Sequence, residues 1–271
     1  MLNVDPSTPA RDSLSILVPT RNEAANVEEL LRRISTALAG ISCEVLFIDD
    51  SDDDTPAAIQ AVAAGGGAAH LRVALLARRG DQRWGGLGGA VVDGLRAARS
   101  PWACVMDADL QHPPEVVPAL VAKADREGAD LVIASRHCDQ GRAAGLNAGR
   151  TVISRGSTIA ARTLFPRRLR GVSDPMSGFF LVRRDAIDLD RLQPRGFKIL
   201  LELLVQGGNL RTAEVGYSFA SRYAGESKGS LSEGLTYLRR LCELRLDLRE
   251  QDAGPAREAP AVQLITAGSF A

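Results

Sequence analysis

The chain has 271 residues, of which 45% are hydrophobic, and its 33 basic and 33 acidic residues give a formal net charge of zero. This length allows one large domain or two small ones with a sizeable core. The balanced charge excludes a global attraction to nucleic acid, which is not expected as a partner. Four Cys without CxxC spacing and three His without zinc spacing argue against disulfides and structural zinc.

Apolar runs alternate with amphipathic stretches along the first half of the chain. The predicted strands cover 14–20, 44–50, 71–77, 102–109 and 130–136. The predicted helices cover 21–38, 56–64, 85–99 and 114–127. Asn22 or Asn26 is suited to cap the first helix. This alternation predicts an α/β fold, with a mainly parallel sheet flanked by helices on both faces.

The second half of the chain has a different texture. A predicted helix over 142–165 carries several arginines, and an apolar helix is predicted over 196–207. Strands are predicted within 173–187 and 210–230. A final amphipathic helix over 231–248 fits either a core helix with an arginine face or a helix at a membrane interface. The tail, 250–271, is rich in Pro, Ala and charge and is predicted to be disordered.

Polar side chains follow the fourth predicted strand. Asp107, Asp109 and Gln111 alternate with other residues, so an extended strand would project all three to one side. Ligands of parallel sheets bind beyond the carboxyl ends of the strands. Oxygen donors of this kind suit Mg²⁺ or Mn²⁺ together with substrate phosphates. The alternative is a solvated strand-to-loop junction in which acids are tolerated.

A second acidic run, 49–54, ends the second predicted strand. Asp52, Asp53 and Asp54 are explained as acids at a helix N-terminus, where they complement the helix dipole. Asp50 lies nearer the strand end and is less easily explained in this way. Two anionic clusters at neighbouring strand ends repel each other unless a cation or hydrogen-bond donors lie between them.

Three further features leave two interpretations open. The GGLGGA segment at 85–90 matches neither a P-loop nor a Rossmann fingerprint, so it is either a turn under a ligand or a packing turn. Arg222 and Lys228 flank a Gly-Glu-Ser segment that either closes over a diphosphate or is a solvated loop. Lys198 opens an apolar helix and is either a ligand contact or a surface lysine.

Seven segments together resemble family-2 glycosyltransferases of the GT-A fold, and more narrowly the dolichol- or polyprenol-phosphate mannose synthases. The segments are LSILVPTRNEAANVEELL, FIDDSDDDT, GLGGAVVDGL, VMDADLQHPPE, SDPMSGFF, GFKILLELL and RYAGESKGS. The most specific combination is DADLQHPPE with a downstream GFK and R-x(5)-K. The resemblance runs from about residue 14 to 245 and implies a Rossmann-like GT-A domain over 14–248. Its donor-binding half would be 14–111 and its acceptor-binding half 112–248.

The resemblance implies a role for each matching residue. The nucleoside pocket would be lined by Pro19, Glu23, Ile48 and Asp50. Arg21 stands beside them where these synthases usually carry Tyr, so base stacking, and with it GDP or UDP, is left open. The diphosphate and sugar would lie near Asp107 and Ala108. A divalent Mg²⁺ or Mn²⁺ would be held by Asp109 and Gln111. Further donor contacts would come from Lys198, Arg222 and Lys228, and the acceptor phosphate would meet Arg136 and Arg150.

The implied reaction is an inverting transfer of a sugar to a polyprenyl or dolichyl monophosphate. The first candidate for the donor is GDP-mannose, which would supply mannose. An acceptor phosphate is already anionic and needs little or no general base. The rivals are a UDP-sugar donor, a soluble hydroxyl acceptor with a carboxylate base such as Asp174, and a nucleotide-sugar-binding module without turnover. A sugar nucleotidyltransferase would need a Gly-rich loop where this chain has PTRNE.

The location of the protein follows from the same features. The polar N-terminus has no apolar core of the signal-peptide kind, and no run approaches the ~20 apolar residues of a membrane span. A lipid acceptor nevertheless requires access to a membrane. We therefore expect a cytoplasmic protein, peripheral on the inner face of the membrane, which meets the lipid directly or through a membrane-anchoring partner.

Overall fold

The computed structural model describes residues 13–65, 68–138, 148–194, 198–207, 209–219, 239 and 241–246, with the backbone alone at 148–155. The strands are β1 (Leu14–Thr20), β2 (Cys43–Asp49), β3 (Leu71–Ala77), β4 (Trp102–Val105), β5 (Leu131–Ser135), β6 (Phe180–Arg183) and β7 (Thr212–Gly216). The α-helices are α1 (Val27–Ala37), α2 (Thr55–Ala64), α3 (Gly86–Ala97), α4 (Val117–Glu127), α5 (Ala148–Leu164) and α6 (Ile199–Gln206).

All seven strands form one sheet in the order β3-β2-β1-β4-β6-β5-β7. The pairs β1–β2, β2–β3, β1–β4 and β5–β7 are parallel. Strand β6 lies antiparallel between β4 and β5. The predicted α/β class with a mainly parallel sheet is confirmed. Because β6 and β7 join the same sheet as β1 to β4, the two halves proposed from the sequence share one sheet, and their boundary at 111/112 stays a prediction.

Helices cover both faces of the sheet. Along β1, Ile16 and Val18 are buried among the apolar residues of α1, α2 and α4, whereas Leu17 is buried among those of α3 and α6. Such burial on both faces explains why the strands read as continuous apolar runs and not as alternating ones. The core therefore has two layers, one on each side of the sheet.

The capping prediction for the first helix is wrong. A short 3-10 turn precedes α1, and Asn26 makes no side-chain hydrogen bond to the helix end. Its Nδ2 instead donates to Glu23 Oε2 at 2.6 Å. Asn22 adopts a positive φ of 59°, and its Oδ1 accepts the backbone N–H of Asp52. Both side chains thus fix the loop after β1, and neither caps α1.

The fourth strand is shorter than predicted. It ends at Val105, so the predicted extended alternation of Asp107, Asp109 and Gln111 is wrong. The chain leaves the sheet in a turn in which Leu110 has a φ of +63°. All three polar residues therefore follow the strand and do not lie within it.

The end of the chain is described only in part. Residues 241–246 are helical, and Leu241 and Leu244 are buried in the same layer as α6. Leu246 is exposed. This short piece agrees with the core interpretation of the final helix, while most of 231–248 and the tail 250–271 lie outside the described residues. Over the described ranges, no helix combines the length and the apolar character that crossing a bilayer requires.

Candidate functional site

The carboxyl ends of β1 and β2 are joined by a buried polar network. Their last residues, Thr20 and Asp49, are register partners. The Asp49 carboxylate accepts hydrogen bonds from Thr20 Oγ1 at 3.0 Å and Ser51 Oγ at 2.6 Å. Arg79 Nη1 lies 3.5 Å from it. Asp49 is therefore committed to holding the two strand ends together, and it is not one of the proposed ligand contacts.

Asp50 is paired with a buried arginine. Arg78, the residue after β3, donates from Nε and Nη2 to the two carboxylate oxygens of Asp50, both at 2.8 Å. Its Nη1 donates to Asp93 of α3 at 2.9 Å. Burial lowers the pKa of Arg78, but the hydrogen bonds to both carboxylates raise it further, so the net pKa is raised. Arg78 therefore neutralises Asp50 and links the end of β2 to α3, whereas the expectation of a cation between the acids after β2 and those after β4 stays a prediction.

The acids at 52–54 agree with their assignment to the start of a helix. Asp53 Oδ1 accepts the backbone N–H of Thr55, the first residue of α2, at 3.0 Å. Asp52 is exposed and pairs with Arg83 at 2.7 Å. Arg21 lies at the limit of ion-pair distance from the same carboxylate, at 4.0 Å. The exposed rim beyond β2 therefore carries arginine on both sides of Asp52.

Hydrogen bonds between side chains and the backbone hold the turn after β4. The backbone N–H of Asp107 donates to His112 Nδ1 at 2.9 Å. Asp109 Oδ1 accepts the backbone N–H of Gln111 at 3.1 Å, which forms an Asx turn. Ala108 and Asp109 are buried, whereas the side chain of Asp107 is 40% exposed. The turn therefore exposes the side chain of Asp107 to solvent and keeps Asp109 buried.

His112 is neutral in this setting. Burial lowers its pKa to about 4, and the charge of Arg136 lowers it too, although Asp109 and Asp174 oppose the shift. Asp107 Oδ2 lies 3.6 Å from the same Nδ1. Because Nδ1 accepts from a backbone N–H and the ring is uncharged, that contact is not an ion pair. His112 therefore belongs to the loop and supplies a hydrogen-bond acceptor.

Arg136, just after β5, is fixed by Asp174. Its Nε and Nη2 donate to the two carboxylate oxygens at 2.8 and 2.9 Å. Asp174 is fully buried, and the guanidinium also lies over the ring of Phe219, 5.8 Å from its centroid. Burial raises the pKa of Asp174, but the hydrogen bonds and charge of Arg136 outweigh it, so the pKa is lowered. The pair stays ionised.

The glycine-rich segment is a packing turn. Gly85 has a φ of +66°, and a Cβ there would lie 2.6 Å from the carbonyl oxygen of Pro194. At Gly89 a Cβ would lie 2.0 Å from the carbonyl oxygen of Trp84. Of the two interpretations of GGLGGA, the geometry favours close backbone packing, which also brings α3 against Arg78.

The remaining predicted residues fall into two groups. Pro19 and Ile48 are buried, and Glu23 and Lys198 are half-buried. Ile48 packs on the Cα side of Gly94, where a Cβ would lie 2.8 Å from its Cδ1. Arg222 and Lys228 lie outside the described residues, and the side chain of Arg150 does too. The roles of all these residues stay predictions.

Two residues of this region were missed by sequence reasoning. Arg78 follows β3 directly, just as the acids follow β2 and β4, and a polar residue at a strand end was the available signal. Asp93 lies inside α3, where nothing in the sequence distinguishes it from a solvated helix residue. Burial raises its pKa against the opposing effect of Arg78.

The residues after β4 suit a hard cation. Asp109 supplies a carboxylate and Gln111 an amide oxygen, the donor types that Mg²⁺ and Mn²⁺ prefer. Within the described ranges there is no group of three or more His, Cys, Asp or Glu placed for a metal. Such a small set fits an ion that completes its coordination with substrate phosphates and water, and it does not fit a structural metal cage.

Comparison with known proteins agrees with this geometry. The profile of "Glycosyl transferase family 2" matches residues 15–189. The chain is 37% identical over 232 residues to a dolichol-phosphate mannosyltransferase of Pyrococcus furiosus, covering 85% of this chain and 63% of that protein. A protein of the same name from Mycosarcoma maydis is 35% identical over 253 residues, covering 88% of this chain and 81% of the relative.

A solved structure of low identity shares the fold. Glucosyl-3-phosphoglycerate synthase from Mycobacterium tuberculosis, in complex with Mn²⁺, UDP and glucosyl-3-phosphoglycerate, superposes with a TM-score of 0.62 at 22% identity. The match covers 88% of this chain and 80% of that one. The GT-A-like fold is therefore confirmed. Because the family profile covers more than half of the chain and the relatives align over most of it, this chain belongs to glycosyl transferase family 2.

Proposed function

We propose that the chain transfers a sugar to a polyprenyl or dolichyl monophosphate, with inversion at the anomeric carbon. The first candidate for the donor is GDP-mannose, which supplies mannose. The carrying observation is that His112 lies between the donor-side turn and the acceptor-side pair. His112 Nδ1 accepts the backbone N–H of Asp107, and the ring of Phe219 packs against both the imidazole of His112 and the guanidinium of Arg136. The carboxylates of the turn after β4 and a fixed arginine therefore lie in one small region at the carboxyl end of the sheet, which supports a donor site beside an acceptor site.

Arg136 supports the assignment of a phosphate acceptor. Its guanidinium is held in one orientation by Asp174 and Phe219, and its side chain is only 12% exposed. A guanidinium of fixed direction orients an anionic oxygen better than a mobile one, because less conformational freedom is lost on binding. Arg150, the second residue assigned to the acceptor phosphate, completes this side in the proposal.

The committed hydrogen bonds of the site favour a nucleophile that needs no general base. Asp174 is ionised, but both of its oxygens accept from Arg136. His112 uses Nδ1 to accept from the backbone of Asp107. A phosphate monoester is already anionic near neutral pH, so its oxygen can attack the anomeric carbon without losing a proton first. The soluble-hydroxyl rival would require Asp174 to release Arg136.

The donor side rests on the turn after β4 and on Asp50. Asp109 and Gln111 would hold Mg²⁺ or Mn²⁺, which when bound supplies Lewis-acid neutralisation of the leaving diphosphate. Asp107 faces outward from the turn toward the donor sugar. Asp50, fixed by Arg78, would receive the nucleoside together with Pro19, Arg21, Glu23 and Ile48. In this proposal Lys198, Arg222 and Lys228 add positive charge at the diphosphate.

The lipid acceptor places the protein at the inner face of a membrane, as a peripheral protein or through an anchoring partner. The chain spans 63% of the length of the Pyrococcus furiosus relative, so the complete activity of that protein is proposed here and not transferred. The names of the relatives support a lipid phosphate acceptor. The arginine at position 21 leaves the choice of nucleotide base to experiment.

The experiment is a transfer assay with the purified full chain. Radiolabelled GDP-mannose, UDP-glucose and UDP-GlcNAc are each offered with dolichyl or undecaprenyl phosphate in detergent, and label is counted in the organic phase. We expect GDP-mannose to label the lipid in the presence of Mg²⁺ or Mn²⁺ and EDTA to abolish the labelling. Alkaline phosphatase resistance of the product would verify a phosphodiester.

Each other outcome selects a rival. Labelling from a UDP-sugar would correct the donor and keep the acceptor. Label on a soluble hydroxyl compound, with none on the lipid, would overturn the proposed acceptor. Binding of a nucleotide sugar, seen as a rise in melting temperature, without turnover on any acceptor would indicate a binding module.

A further inference from the structure

The imidazole of His112 ends strand β4. Just after β4, the backbone N–H of Met106 donates to the carbonyl of Leu17 in β1 at 3.1 Å. The next N–H, that of Asp107, donates to His112 Nδ1 at 2.9 Å. A side chain five residues later thus takes a donor that a longer strand would give to its neighbour. The chain turns at this point.

Three aromatic rings and a glycine fix the orientation of His112. Phe179 stacks on it with ring centroids 5.2 Å apart and planes inclined by 21°. The edges of Tyr217 and Phe219 pack against it at 6.1 and 5.9 Å. At Gly178 a Cβ would lie 3.1 Å from His112 Cε1 and 3.6 Å from both carboxylate oxygens of Asp107. Gly178 therefore leaves room for both residues.

The same surroundings explain the SDPMSGFF segment, of which the proposed function uses only Asp174. Asp174 of this segment holds Arg136. Ser177 Oγ donates to the carbonyl of Ala134 at 2.7 Å, which ties the segment to the end of β5. Gly178 and Phe179 then form one side of the aromatic cage around His112, whose other members are Tyr217 and Phe219. The segment connects the acceptor-side arginine with the donor-side turn through a single imidazole.

We propose that His112 is a positioning residue whose Nδ1, as a hydrogen-bond acceptor, fixes the backbone of Asp107 and with it the turn that carries Asp109 and Gln111. The hydrogen bonds from Asp107 N–H to His112 and from Gln111 N–H to Asp109 both restrain this turn. The turn includes Leu110 at a φ of +63°, a conformation that costs energy for a residue with a Cβ. Loss of the hydrogen bond to His112 would let the turn relax away from this unfavourable conformation of Leu110.

This inference rests on the proposed function for the roles of Asp109 and Gln111, and two variants separate it from simple packing. His112→Phe keeps an aromatic ring in the cage and removes the acceptor. His112→Asn removes the ring and keeps an oxygen at the position of Nδ1. Outer residues that orient metal ligands contribute roughly 10- to 100-fold to affinity or activity. We expect His112→Phe to lose Mn²⁺ affinity or turnover by a factor of that size, and His112→Asn to lose less.

The readouts do not depend on the acceptor. Mn²⁺ affinity is measured by electron paramagnetic resonance in the presence of a nucleoside diphosphate, and kcat and donor KM are measured where turnover exists. Far-ultraviolet circular dichroism and urea unfolding check the fold of each variant. Packing alone predicts the reverse order, with His112→Asn worse than His112→Phe. His112→Ala, which loses both ring and acceptor, gives the lower limit.

The outcomes distinguish this inference from the proposed function. A His112→Phe variant with wild-type Mn²⁺ affinity and wild-type turnover overturns the positioning role and leaves the transfer reaction standing. A wild-type chain that labels no lipid, but whose Mn²⁺ affinity falls in His112→Phe and is restored in His112→Asn, overturns the acceptor and supports the positioning role. If His112→Phe does not fold, His112→Asn decides, because an affinity as low as that of His112→Ala refutes the acceptor role.

Discussion

Arg136 and Asp174 form a bidentate ion pair in which two guanidinium nitrogens donate to two carboxylate oxygens, at 2.8 and 2.9 Å. Asp174 also accepts the backbone N–H of Arg136 at 3.2 Å. The side chains are 12% and 0% exposed. Burial of two charges is costly unless geometry and further hydrogen bonds compensate, and both conditions are met here. The pair gives the end of β5 a cation of fixed direction.

The first prediction concerns this pair. Asp174→Asn keeps the size of the side chain but leaves the buried Arg136 without a counter-charge. Breaking a buried pair in this way costs about 3–5 kcal/mol of unfolding free energy. We expect urea unfolding at pH 7 to show a loss of that size. The acceptor KM should rise as well, because Arg136 is no longer held in one direction.

A matched control and the pH dependence sharpen this test. Asp188→Asn breaks an exposed pair with Arg191 and should change stability by no more than about 1 kcal/mol. The pKa of Asp174 is lowered in the fold, so its contribution is complete above the ordinary pKa of about 3.9 and is lost as pH falls through the lowered value. The stability gap between wild type and Asp174→Asn should therefore narrow in acid. An equal gap at pH 7 and pH 3 contradicts the assignment.

The second prediction concerns Arg78. Arg78→Met keeps most of the apolar stem and leaves the carboxylates of Asp50 and Asp93 facing each other without a cation. We expect a loss of about 3–5 kcal/mol, measured by urea unfolding. Donor KM should rise more than acceptor KM, since Asp50 is on the proposed nucleoside side.

Arg78→Lys refines the same experiment. Lysine keeps the charge but cannot reproduce a bidentate bond to Asp50 together with a third bond to Asp93. Its stability should lie between those of wild type and Arg78→Met. The exposed Arg191→Met serves as the control. Unchanged donor KM in a folded Arg78→Met would show that the Asp50–Arg78 pair does not contribute to donor binding.

The fold was largely predictable because helices cover the sheet on both faces. Strands in such a sheet are apolar nearly throughout, so β1 and β3 were predicted with the bounds they have in the structure, and β2 within one residue. The end of β4 was not predicted correctly. The apolar run continues through Met106, but the next backbone N–H, that of Asp107, donates to the imidazole of His112. A hydrogen bond from a side chain to the backbone leaves no periodic pattern.

The site was predictable to a different degree. Asp109 and Gln111 could be singled out because oxygen donors just beyond a buried strand lie where parallel sheets bind their ligands. The partners of Asp50 and Arg136 could not, since Arg78 is 28 residues from Asp50 and Asp174 is 38 residues from Arg136. Such pairs depend on the order of strands in the sheet. In particular, the insertion of β6 between β4 and β5 brings the 173–179 segment to the end of β5.

The third prediction compares two glycines in helices. Gly89→Ala in α3 would place a Cβ 2.0 Å from the Trp84 carbonyl oxygen and 3.2 Å from Arg78 Nη1. Backbone must move to relieve this contact, so we expect a loss of at least about 1–3 kcal/mol. Gly156→Ala in α5 meets nothing within 4 Å. It should stabilise the protein by about 0.5–1 kcal/mol, because alanine is the better helix former.

The measurement is thermal and urea unfolding of both variants beside the wild type. Opposite signs for the two substitutions are the expected result. A neutral Gly89→Ala would mean that the turn between β3 and α3 is looser than its backbone contacts imply. The packing interpretation of GGLGGA would then give way to the ligand interpretation, and donor affinity of Gly89→Ala would decide between them.

The last prediction concerns Asp109, the proposed metal ligand. Asp109→Asn keeps an oxygen that can accept the N–H of Gln111, so the Asx turn and the fold should persist, but it removes the negative charge. A Lewis-acid metal stabilises developing charge by several kcal/mol, so we expect metal-dependent transfer to fall at least about 100-fold. Asp185→Asn, which alters an exposed aspartate paired with Arg183, is the control and should be fully active. The comparison is made over a Mn²⁺ and Mg²⁺ titration after treatment with EDTA. If Asp109→Asn transfers sugar at the wild-type rate with the same metal dependence, Asp109 is not a metal ligand. Asp107 would then be the next candidate for this role.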